Sequence, residues 1–256
     1  MTPSRTALVT GGSRGLGYHV ASCLAERGYH VTIVGRNADR LVAAVRQFAG
    51  STNRWLALDL SIEDQVEELV RHVERNGFDV LVNNAGAARF GPLSALTSDM
   101  LQHQLRLNLI APACLSWAFV KCARPGSILV NVTSIVGRVP MPGNAAYSAA
   151  KAGLQALTEC LWYEMLSAPI TVLDFRPVSI KTDFHRTAGS QSMSPAAISV
   201  EAKIAARDLV DAVEKNRAFV HAFGPGAMLL ELASRLLPRK LLIQIMGRKS
   251  RKMKYL

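Results

Sequence analysis

A tyrosine and a lysine separated by three residues have types and spacing that suit chemistry. They are Tyr147 and Lys151, in the stretch Tyr-Ser-Ala-Ala-Lys. If this stretch is helical, both side chains lie on one face, about 5–6 Å apart. An ammonium beside a phenol favours the phenolate, so we expect the pKa of Tyr147 to lie below its usual value. Such a tyrosine can exchange a proton with an alcohol or carbonyl oxygen near neutral pH.

A glycine-rich turn near the N-terminus predicts the site that such chemistry would need. The run Ala7-Leu8-Val9 predicts a buried strand, residues 10–17 follow with the spacing Gly-x-x-x-Gly-x-Gly, and residues 18–27 predict a helix. This order lets the backbone approach a pyrophosphate, which the helix N-terminus attracts. The commoner dinucleotide spacing is Gly-x-Gly-x-x-Gly, so a glycine turn without a ligand is the alternative interpretation.

The end of the second predicted strand, residues 29–35, indicates which dinucleotide would bind. Arg36-Asn37 follows it, where an NAD site usually has an acidic residue for the ribose 2′-hydroxyl. Arg36 offers a forked cation suited to a 2′-phosphate, and Arg14 in the glycine turn could reach the same phosphate. Two arginines without a carboxylate favour NADP(H) over NAD(H), although either arginine alone could be an ordinary surface residue.

Taken together, the motifs resemble those of the classical short-chain dehydrogenase/reductase family over roughly residues 5–225. The matching positions are Thr-Gly-x-x-x-Gly-x-Gly at residues 10–17, Asp59 after the third strand, Asn-Asn-Ala-Gly at residues 83–86, Asn108, Ser134, and the pair Tyr147 and Lys151. One position departs from the family pattern. Val178 follows Pro177 where the family usually has a glycine that lets the backbone approach the nicotinamide.

The resemblance implies an NADPH-dependent reduction of a ketone to a secondary alcohol. Tyr147 would protonate the developing alkoxide, Ser134 would hydrogen-bond the same oxygen, and Lys151 would bind the nicotinamide ribose. Asn108 would hold a water that links Lys151 to solvent through a helix irregularity. The cofactor-binding residues implied are Gly11, Ser13, Arg14, Gly15, Leu16, Gly17, Arg36, Asn37, Asp59, Leu60, Asn84, Ala85, Gly86, Tyr147, Lys151, Pro177, Val178 and Thr182.

Length and patterning predict one α/β domain, a Rossmann-type doubly wound parallel sheet with helices on both faces. The chain has 256 residues, 49% of them hydrophobic. We expect a catalytic NADP-binding domain over residues 1–225, with a lid at about residues 183–199 and one helix over residues 97–123, bent near Pro112. No apolar run reaches the length of a membrane span, and no room is left for a signal peptide before the first strand.

The four cysteines lie in apolar helical stretches without metal-ligand spacing. They are Cys23, Cys114, Cys122 and Cys160. We interpret them as small core residues in a reducing compartment, which suits a cytoplasmic protein, and we predict no metal site.

The residues expected around the substrate pocket are apolar. By analogy with the family they are Ile135, Val136, Val139, Met141, Val178, Ile180 and Phe184. Only Arg138 and Arg186 could hold a substrate carboxylate. We therefore favour an apolar or lipid-like ketone, such as a keto-lipid or steroid, over a small charged metabolite.

The C-terminal segment, residues 226–256, is basic and amphipathic. Without residues 231–256, the net charge falls from +11 to +4. At helical spacing, this segment carries two apolar stripes, one before and one after Pro238. They are Leu229, Leu232, Ala233 and Leu236, then Leu241, Leu242, Ile245 and Met246. Three interpretations stay open: contact with an anionic membrane, packing on the body or on a partner subunit with a solvated tail, and nucleic-acid binding. Aromatic residues do not interleave with the cations, which disfavours nucleic acid.

Two further expectations concern assembly and function. The helices predicted over residues 97–123 and 144–167 form the subunit contacts of the family, so we expect a homodimer or homotetramer. The alternative function is a non-catalytic NADP-binding scaffold or sensor, because a fold does not fix an activity. The presence of Asn108, Ser134, Tyr147 and Lys151 together argues for the enzyme, and a cytoplasmic protein at a membrane surface would suit a lipid-like substrate.

Overall fold

A parallel sheet of seven strands forms the centre of the described part of the chain. The computed structural model describes residues 5–184, 188, 199–215, 220–224 and 226–252. The strands of this sheet are β1 Thr6–Thr10, β2 His30–Gly35, β3 Arg54–Ala57, β4 Val80–Asn83, β5 Ser127–Val132, β6 Ile170–Pro177 and β9 Val220–Phe223. Their order is β3-β2-β1-β4-β5-β6-β9, with every neighbouring pair parallel. The predicted doubly wound parallel sheet is confirmed.

Helices cover both faces of this sheet. The described helices are α1 Gly15–Glu26, α2 Ala38–Val45, α3 Glu63–Asn76, α4 Ser98–Leu105, α5 Ala111–Cys122, α6 Ala145–Glu164, α7 Ala202–Glu214, α8 Ala227–Leu236 and α9 Arg239–Lys252. Successive strand residues point to opposite faces: Val9 joins a core cluster with α1 and α7, whereas Leu8 joins one with α3 and α5. Both faces are therefore apolar, as buried parallel strands require.

A π-helical turn, Arg106–Ile110, interrupts the predicted helix over residues 97–123. Pro112, where a bend was predicted, lies two residues after this turn, in the first turn of α5. The irregularity centres on Asn108, whose side-chain amide donates to the carbonyl oxygen of Gln104 at 2.8 Å.

The continuous helical stretch Ser98–Cys122 is long and apolar enough to cross a membrane, judged by length and composition alone. This differs from the expectation that no segment reaches such a length. Leu115 and Phe119 of this stretch are buried in the core cluster on one face of the sheet. The cysteines also differ in part from expectation, because Cys23 is buried but Cys160 is exposed.

Two short strands join the ends of the predicted lid. β7 Ile180–Lys181 pairs in parallel with β8 Val200–Glu201. Of the predicted lid, only residues 183, 184, 188 and 199 are described, and the others, with Arg186, lie outside the described residues. Ala188 is buried and its carbonyl oxygen accepts a hydrogen bond from the backbone N–H of Phe90 at 2.9 Å.

The apolar stripe residues of the two C-terminal helices are partly exposed and partly buried. In α8, Leu229, Leu232 and Leu236 are exposed. In α9, Leu242 and Met246 are buried against Ile135, Val136 and Val139 of the body, whereas Leu241 and Ile245 are exposed. Packing on the body thus accounts for one side of α9 but leaves an apolar surface on α8.

Candidate active site

One large cleft opens at the carboxyl ends of the strands. Its volume is about 1190 Å³, beyond the roughly 300–1,000 Å³ of a pocket for one small molecule. It runs from Arg36 and Asp59, at the end near β2 and β3, to Tyr147 and Val178 at the end near β5 and β6. The cleft therefore has room for a dinucleotide and a second molecule beside it.

The glycine turn between β1 and α1 forms the floor of the cleft. Gly11 and Gly15 have φ values of +69° and +58°, a conformation that side chains rarely adopt. Ser13, Arg14 and Leu16 line the cleft beside them. Gly17 does not line it: its α-carbon faces the backbone of Gly11 so closely that no side chain fits. Gly17 therefore supports the turn from behind.

The Asn-Asn-Ala-Gly motif ties β4 to this turn. Asn84 donates from its side-chain nitrogen to the carbonyl oxygen of Thr10 at 2.9 Å. The Thr10 hydroxyl oxygen in turn accepts hydrogen bonds from the backbone N–H groups of Asn84 and Ala85, both at 3.0 Å. A side chain at Gly86 would meet the amide oxygen of Asn108 at 2.8 Å. These contacts fix the boundary between the two halves of the sheet.

Three arginines line the end of the cleft near β2, and two of them, Arg14 and Arg36, were predicted from the sequence. Arg36 lies 3.7 Å from a carboxylate oxygen of Asp59. Burial opposes the charge of Asp59, but hydrogen bonds from Ser61 and the positive charge of Arg36 outweigh burial and lower the pKa of Asp59. The third cation is Arg40.

Arg40 was missed because nothing in its spacing marks it. Asn37 caps α2 by accepting a hydrogen bond from the backbone N–H of Arg40 at 2.8 Å. Asn37 and Leu60 also line the cleft, as predicted for cofactor-binding residues. The capping bond places Arg40 in the first turn of α2, and its side chain lines the cleft.

Ser134, Tyr147 and Lys151 meet at the other end of the cleft. Ser134 follows β5 and hydrogen-bonds Tyr147. The Lys151 ammonium lies 5.7 Å from the centre of the Tyr147 ring and donates to the carbonyl oxygen of Val132 at 2.8 Å. α6 therefore presents both side chains to the end of β5, as their spacing of four residues predicts.

The expected fall in the pKa of Tyr147 is wrong. Burial raises the pKa of Tyr147 far above its usual value, and the hydrogen bond with Ser134 only partly opposes this. Burial also lowers the pKa of Lys151 to about 8, although the charge of Asp174 opposes the shift. The ring of Phe184 contributes to this burial, with its centre 5.6 Å from that of Tyr147. Tyr147 thus holds its proton firmly.

Asn108 lies behind the cleft and not on its wall. It is fully buried, and its side-chain amide donates to the carbonyl oxygen of Ala87 at 2.7 Å and accepts from the Ala87 N–H at 3.3 Å. With the bond to Gln104, both hydrogens of the amide are engaged, and Oδ1 keeps one free lone pair. The π-helical turn also releases main-chain oxygens. That Asn108 holds a water here stays a prediction.

Pro177, Val178 and Thr182 cover the cleft from the end of β6. The backbone N–H of Val178 donates to the carbonyl oxygen of Phe223 at 2.9 Å. The Val178 side chain packs with the apolar cluster around Ile135. Thr182 reaches across the cleft, since its methyl carbon lies 3.2 Å from where a side chain on Gly15 would begin.

The substrate end of the cleft is mostly apolar. All seven side chains expected there line it: Ile135, Val136, Val139, Met141, Val178, Ile180 and Phe184. Arg138 does not line the cleft and instead forms an ion pair with Glu159. A cation that the sequence did not indicate, Arg89, stands exposed at the rim.

Two further lining residues come from the C-terminal helices and were not predicted as pocket residues. They are Leu230 of α8 and Met246 of α9. Their apolar character was visible, but only tertiary packing shows that they face the cleft. Residues 226–256, which were predicted to lie outside the catalytic domain, thus contribute to the wall of the cleft.

Comparison with known proteins agrees with this geometry. The sequence profile of the family described as short chain dehydrogenase matches residues 5–192. A 3-oxoacyl-[acyl-carrier-protein] reductase of Chlamydia trachomatis is 35% identical over 192 residues, 72% of this chain and 77% of the relative. A hydroxynaphthalene reductase of Aspergillus fumigatus is 32% identical over 190 residues, 71% of this chain and 68% of the relative. The chain belongs to the short-chain dehydrogenase/reductase family.

Solved structures show the same fold. A short-chain dehydrogenase from Sphingobium yanoikuyae in complex with NADPH superposes with a TM-score of 0.79 at 26% identity, over 84% of this chain and 86% of that one. A short-chain dehydrogenase from Burkholderia cenocepacia in complex with NADP gives a TM-score of 0.73 at 31% identity, over 84% and 93% of the two chains.

Proposed function

We propose that this protein is an NADPH-dependent reductase that converts a ketone to a secondary alcohol. The observation that carries the proposal is the meeting of Ser134, Tyr147 and Lys151 at the end of a cleft floored by positive-φ glycines. The relatives named as reductases and the structures that contain NADPH or NADP support it.

The cleft fits a dinucleotide that carries a 2′-phosphate. Glycines at 11 and 15 leave room for a pyrophosphate against the backbone, beside the N-terminus of α1. Arg14, Arg36 and Arg40 supply positive charge at the adenosine end. Asp59 is paired with Arg36, so it is neutralised there and does not repel a phosphate. When bound, the reduced nicotinamide supplies the hydride.

The protein's own residues then handle the proton. Ser134 hydrogen-bonds Tyr147, and a carbonyl oxygen that replaces this bond by entering between the two hydroxyls would meet two donors. The raised pKa of Tyr147 keeps its proton in place until negative charge develops on that oxygen. Lys151, a cation near this phenol, stabilises the tyrosinate that the transfer leaves and lies where it can bind the nicotinamide ribose. Reduction needs a protonated tyrosine, and the raised pKa of Tyr147 meets that need.

Replacing Tyr147 by Phe tests the proposal. The ring and its packing against Phe184 remain, but the proton donor is lost. We expect ketone-dependent loss of NADPH absorbance to fall by about 10²–10⁴-fold, with NADPH binding, measured by fluorescence titration, nearly unchanged. Unchanged turnover in this variant would refute the assignment of the acid. NADPH binding by a wild-type protein that reduces no ketone in a panel of steroid, keto-lipid, thioester and quinone probes would instead favour the scaffold.

We further propose an apolar or lipid-like ketone as substrate. The side chains beyond Ser134 and Tyr147 are largely aliphatic, and Arg138 is engaged by Glu159 and by Glu231 at 3.8 Å. Its guanidinium is therefore not available for a substrate carboxylate. Arg89 at the rim can meet a polar head that stays near solvent, while the apolar part lies deeper.

The exposed apolar surface of the C-terminal helices supports a place for this protein at the cytoplasmic side of a membrane. We call it the C-terminal apolar surface, and it consists of Met228, Leu229, Leu232, Leu236, Leu241 and Ile245. Arg235, Arg239, Lys240 and Arg248 are exposed on the same helices. We propose that this surface rests on an anionic bilayer, because apolar insertion and positive charge act together there.

Co-sedimentation with phosphatidylserine-containing vesicles tests this placement. Deleting residues 226–256 would also remove Leu242 and Met246 from the core, so point substitutions are preferable. We expect Leu229→Asp with Leu236→Asp to abolish pelleting, whereas Glu74→Gln on α3 leaves it unchanged. Equal pelleting of the double variant and the wild type would reject the membrane proposal.

We also propose self-association through α5 and α6. Trp117 and Tyr163 are large, exposed side chains on these helices, with 54% and 72% of their surface accessible. Large exposed aromatic residues are typical of protein interfaces. Light scattering should give a dimer or tetramer for the wild type and a smaller species for Trp117→Glu.

A further inference from the structure

A buried guanidinium lies beside the active site on β6. Arg176 is fully buried, and so is Asp174 two residues earlier on the same face of the strand. The two side chains form an ion pair. The hydroxyl of Thr133 donates a hydrogen bond to the same carboxylate. Asp174 is thereby fixed to the residue that precedes Ser134, and Arg176 is fixed to Asp174.

The other arm of this guanidinium reaches the C-terminal helix α8. Arg176 donates from Nη1 to Oε1 of Glu231 at 2.6 Å, and Glu231 is buried. Arg138 and Arg235 approach the same carboxylate oxygen at 3.8 and 3.6 Å. A planar fork holds two carboxylates in defined directions. Glu231 is therefore held at a set position relative to β6.

The neighbour of Glu231 in sequence, Leu230, lines the substrate end of the cleft. Leu230 packs with the cluster of Ile135, Val136 and Met246. A second link holds the following helix, since Arg239 donates to the carbonyl oxygen of Arg138 at 2.9 Å. The position of this apolar wall is thus tied to β6 through Glu231 and to the segment after β5 through Arg239.

We propose that Arg176 and Glu231 are positioning residues that fix helices α8 and α9 as the outer wall of the substrate pocket. Apolar contacts alone would let α8 slide along the body, because they have no direction. A buried charge pair has direction and tolerates little displacement, because separation leaves an uncompensated charge in the interior. The size of ketone that the pocket accepts is then set by Leu230 and Met246, which rests on the reductase function proposed above.

The test uses the full-length enzyme and two ketones of different size. Glu231→Leu keeps a similar volume, leaves Arg176 paired with Asp174 and removes the directional bond. We expect the KM for a long-chain 3-keto ester to change by roughly tenfold or more, with kcat for a four-carbon ketone and the affinity for NADPH unchanged. In Glu231→Gln the amide oxygen can still accept from Arg176, so the KM for the long-chain ketone should stay close to that of the wild type.

Matched variants separate positioning from a loss of stability. Leu230→Ala should reproduce the change in KM, whereas Leu229→Ala, next in sequence but exposed, should not. Glu74→Leu removes a surface ion pair with Lys121 and should leave both ketones unaffected. Hydrogen exchange of residues 227–236 should be faster in Glu231→Leu than in the wild type.

The outcomes are distinct. Unchanged KM values in Glu231→Leu, or equal changes for both ketones, would overturn the positioning role. If Glu231→Leu does not fold, Leu230→Ala decides in its place, and an unaltered KM for the long-chain ketone in that variant rejects the proposal. The two proposals can fail separately. If the wild-type protein reduces neither ketone, but residues 227–236 still exchange faster in Glu231→Leu than in the wild type, the proposed function is refuted and the positioning of α8 is supported.

Discussion

The ammonium of Lys151 donates a hydrogen bond to the carbonyl oxygen of Val132 at 2.8 Å, across the gap between α6 and the end of β5. This bond directs the lysine along the strand end and towards the cleft. The cation is almost completely buried, with 3% of its surface accessible. Burial lowers the pKa of Lys151 to about 8, and the negative charge of Asp174 opposes that shift.

The first prediction follows from this pKa. Lys151 is charged below pH 8 and loses its charge as the pH rises through about 8 in the free enzyme. Because the ammonium is proposed to bind the nicotinamide ribose, NADPH affinity should weaken between pH 7.5 and 9.5, by at most about tenfold per pH unit. Fluorescence titration measures this. Lys151→Met should bind weakly with no such step, and a step that persists in it would assign the titration to another group.

The second prediction concerns cofactor choice. Arg36 is exposed, and Asp59 at 3.7 Å is its only described ion-pair partner, so it is available for a 2′-phosphate. Arg36→Ala should raise the KM for NADPH by about 10–100-fold, the worth of a charge-assisted hydrogen bond, and leave the KM for NADH nearly unchanged. Steady-state kinetics with both cofactors measures the ratio. Arg46→Ala, exposed outside the cleft, serves as control, and an equal loss for both cofactors would contradict the assignment.

The third prediction uses two glycines with opposite surroundings. A methyl group on Gly17 would collide with the backbone of Gly11, so Gly17→Ala should displace the turn and lower both thermal stability and NADPH affinity. A methyl group on Gly247 in α9 would lie 3.6 Å from Pro142, an ordinary contact. Gly247→Ala should stabilise the protein by up to about 1 kcal/mol. Thermal melting in parallel compares them, and similar shifts for both would show that the turn tolerates bulk.

The fourth prediction concerns Asn108. Its amide makes three hydrogen bonds with Ala87 and Gln104 in a buried place. Asn108→Ala leaves those backbone groups without partners, which should cost about 1–3 kcal/mol for each unsatisfied group. Chemical denaturation measures the loss. Gln102→Ala on α4, exposed on the same helical stretch, should change stability little, and a comparably small effect of Asn108→Ala would show that the contacts are replaced by water.

Much of the nucleotide end could be predicted from sequence because its parts are local. Glycine at 11 and 15 and arginine at 14 lie within one turn, and the backbone there needs conformations that only a few residue types allow. The strand and helix order followed from hydrophobic runs, because buried parallel strands are apolar on both faces. The positions of Tyr147 and Lys151 likewise followed from a single helical turn.

The substrate end could be predicted only in part because it depends on long-range packing. Leu230 and Met246 reach the cleft from a segment about 100 residues away from Val136 in the chain. The direction of the Tyr147 pKa shift was missed for a similar reason. Spacing shows the nearby ammonium, but it does not show the burial beside Phe184, which raises the pKa of Tyr147. The turn at Asn108 was expected, whereas its hydrogen bonds to Ala87 were not visible.

The strand order places β1 beside β4, although β2 and β3 come between them in the chain. The residues proposed to select the nucleotide therefore follow β1, β2 and β3, while those proposed to transfer the proton and to contact the ketone follow β5 and β6. These two groups of residues meet at a seam, the hydrogen bonds between Asn84 and Thr10. An engineer who wishes to swap the coenzyme or to retarget the substrate can thus work on separate stretches of the gene, provided that this seam is left intact.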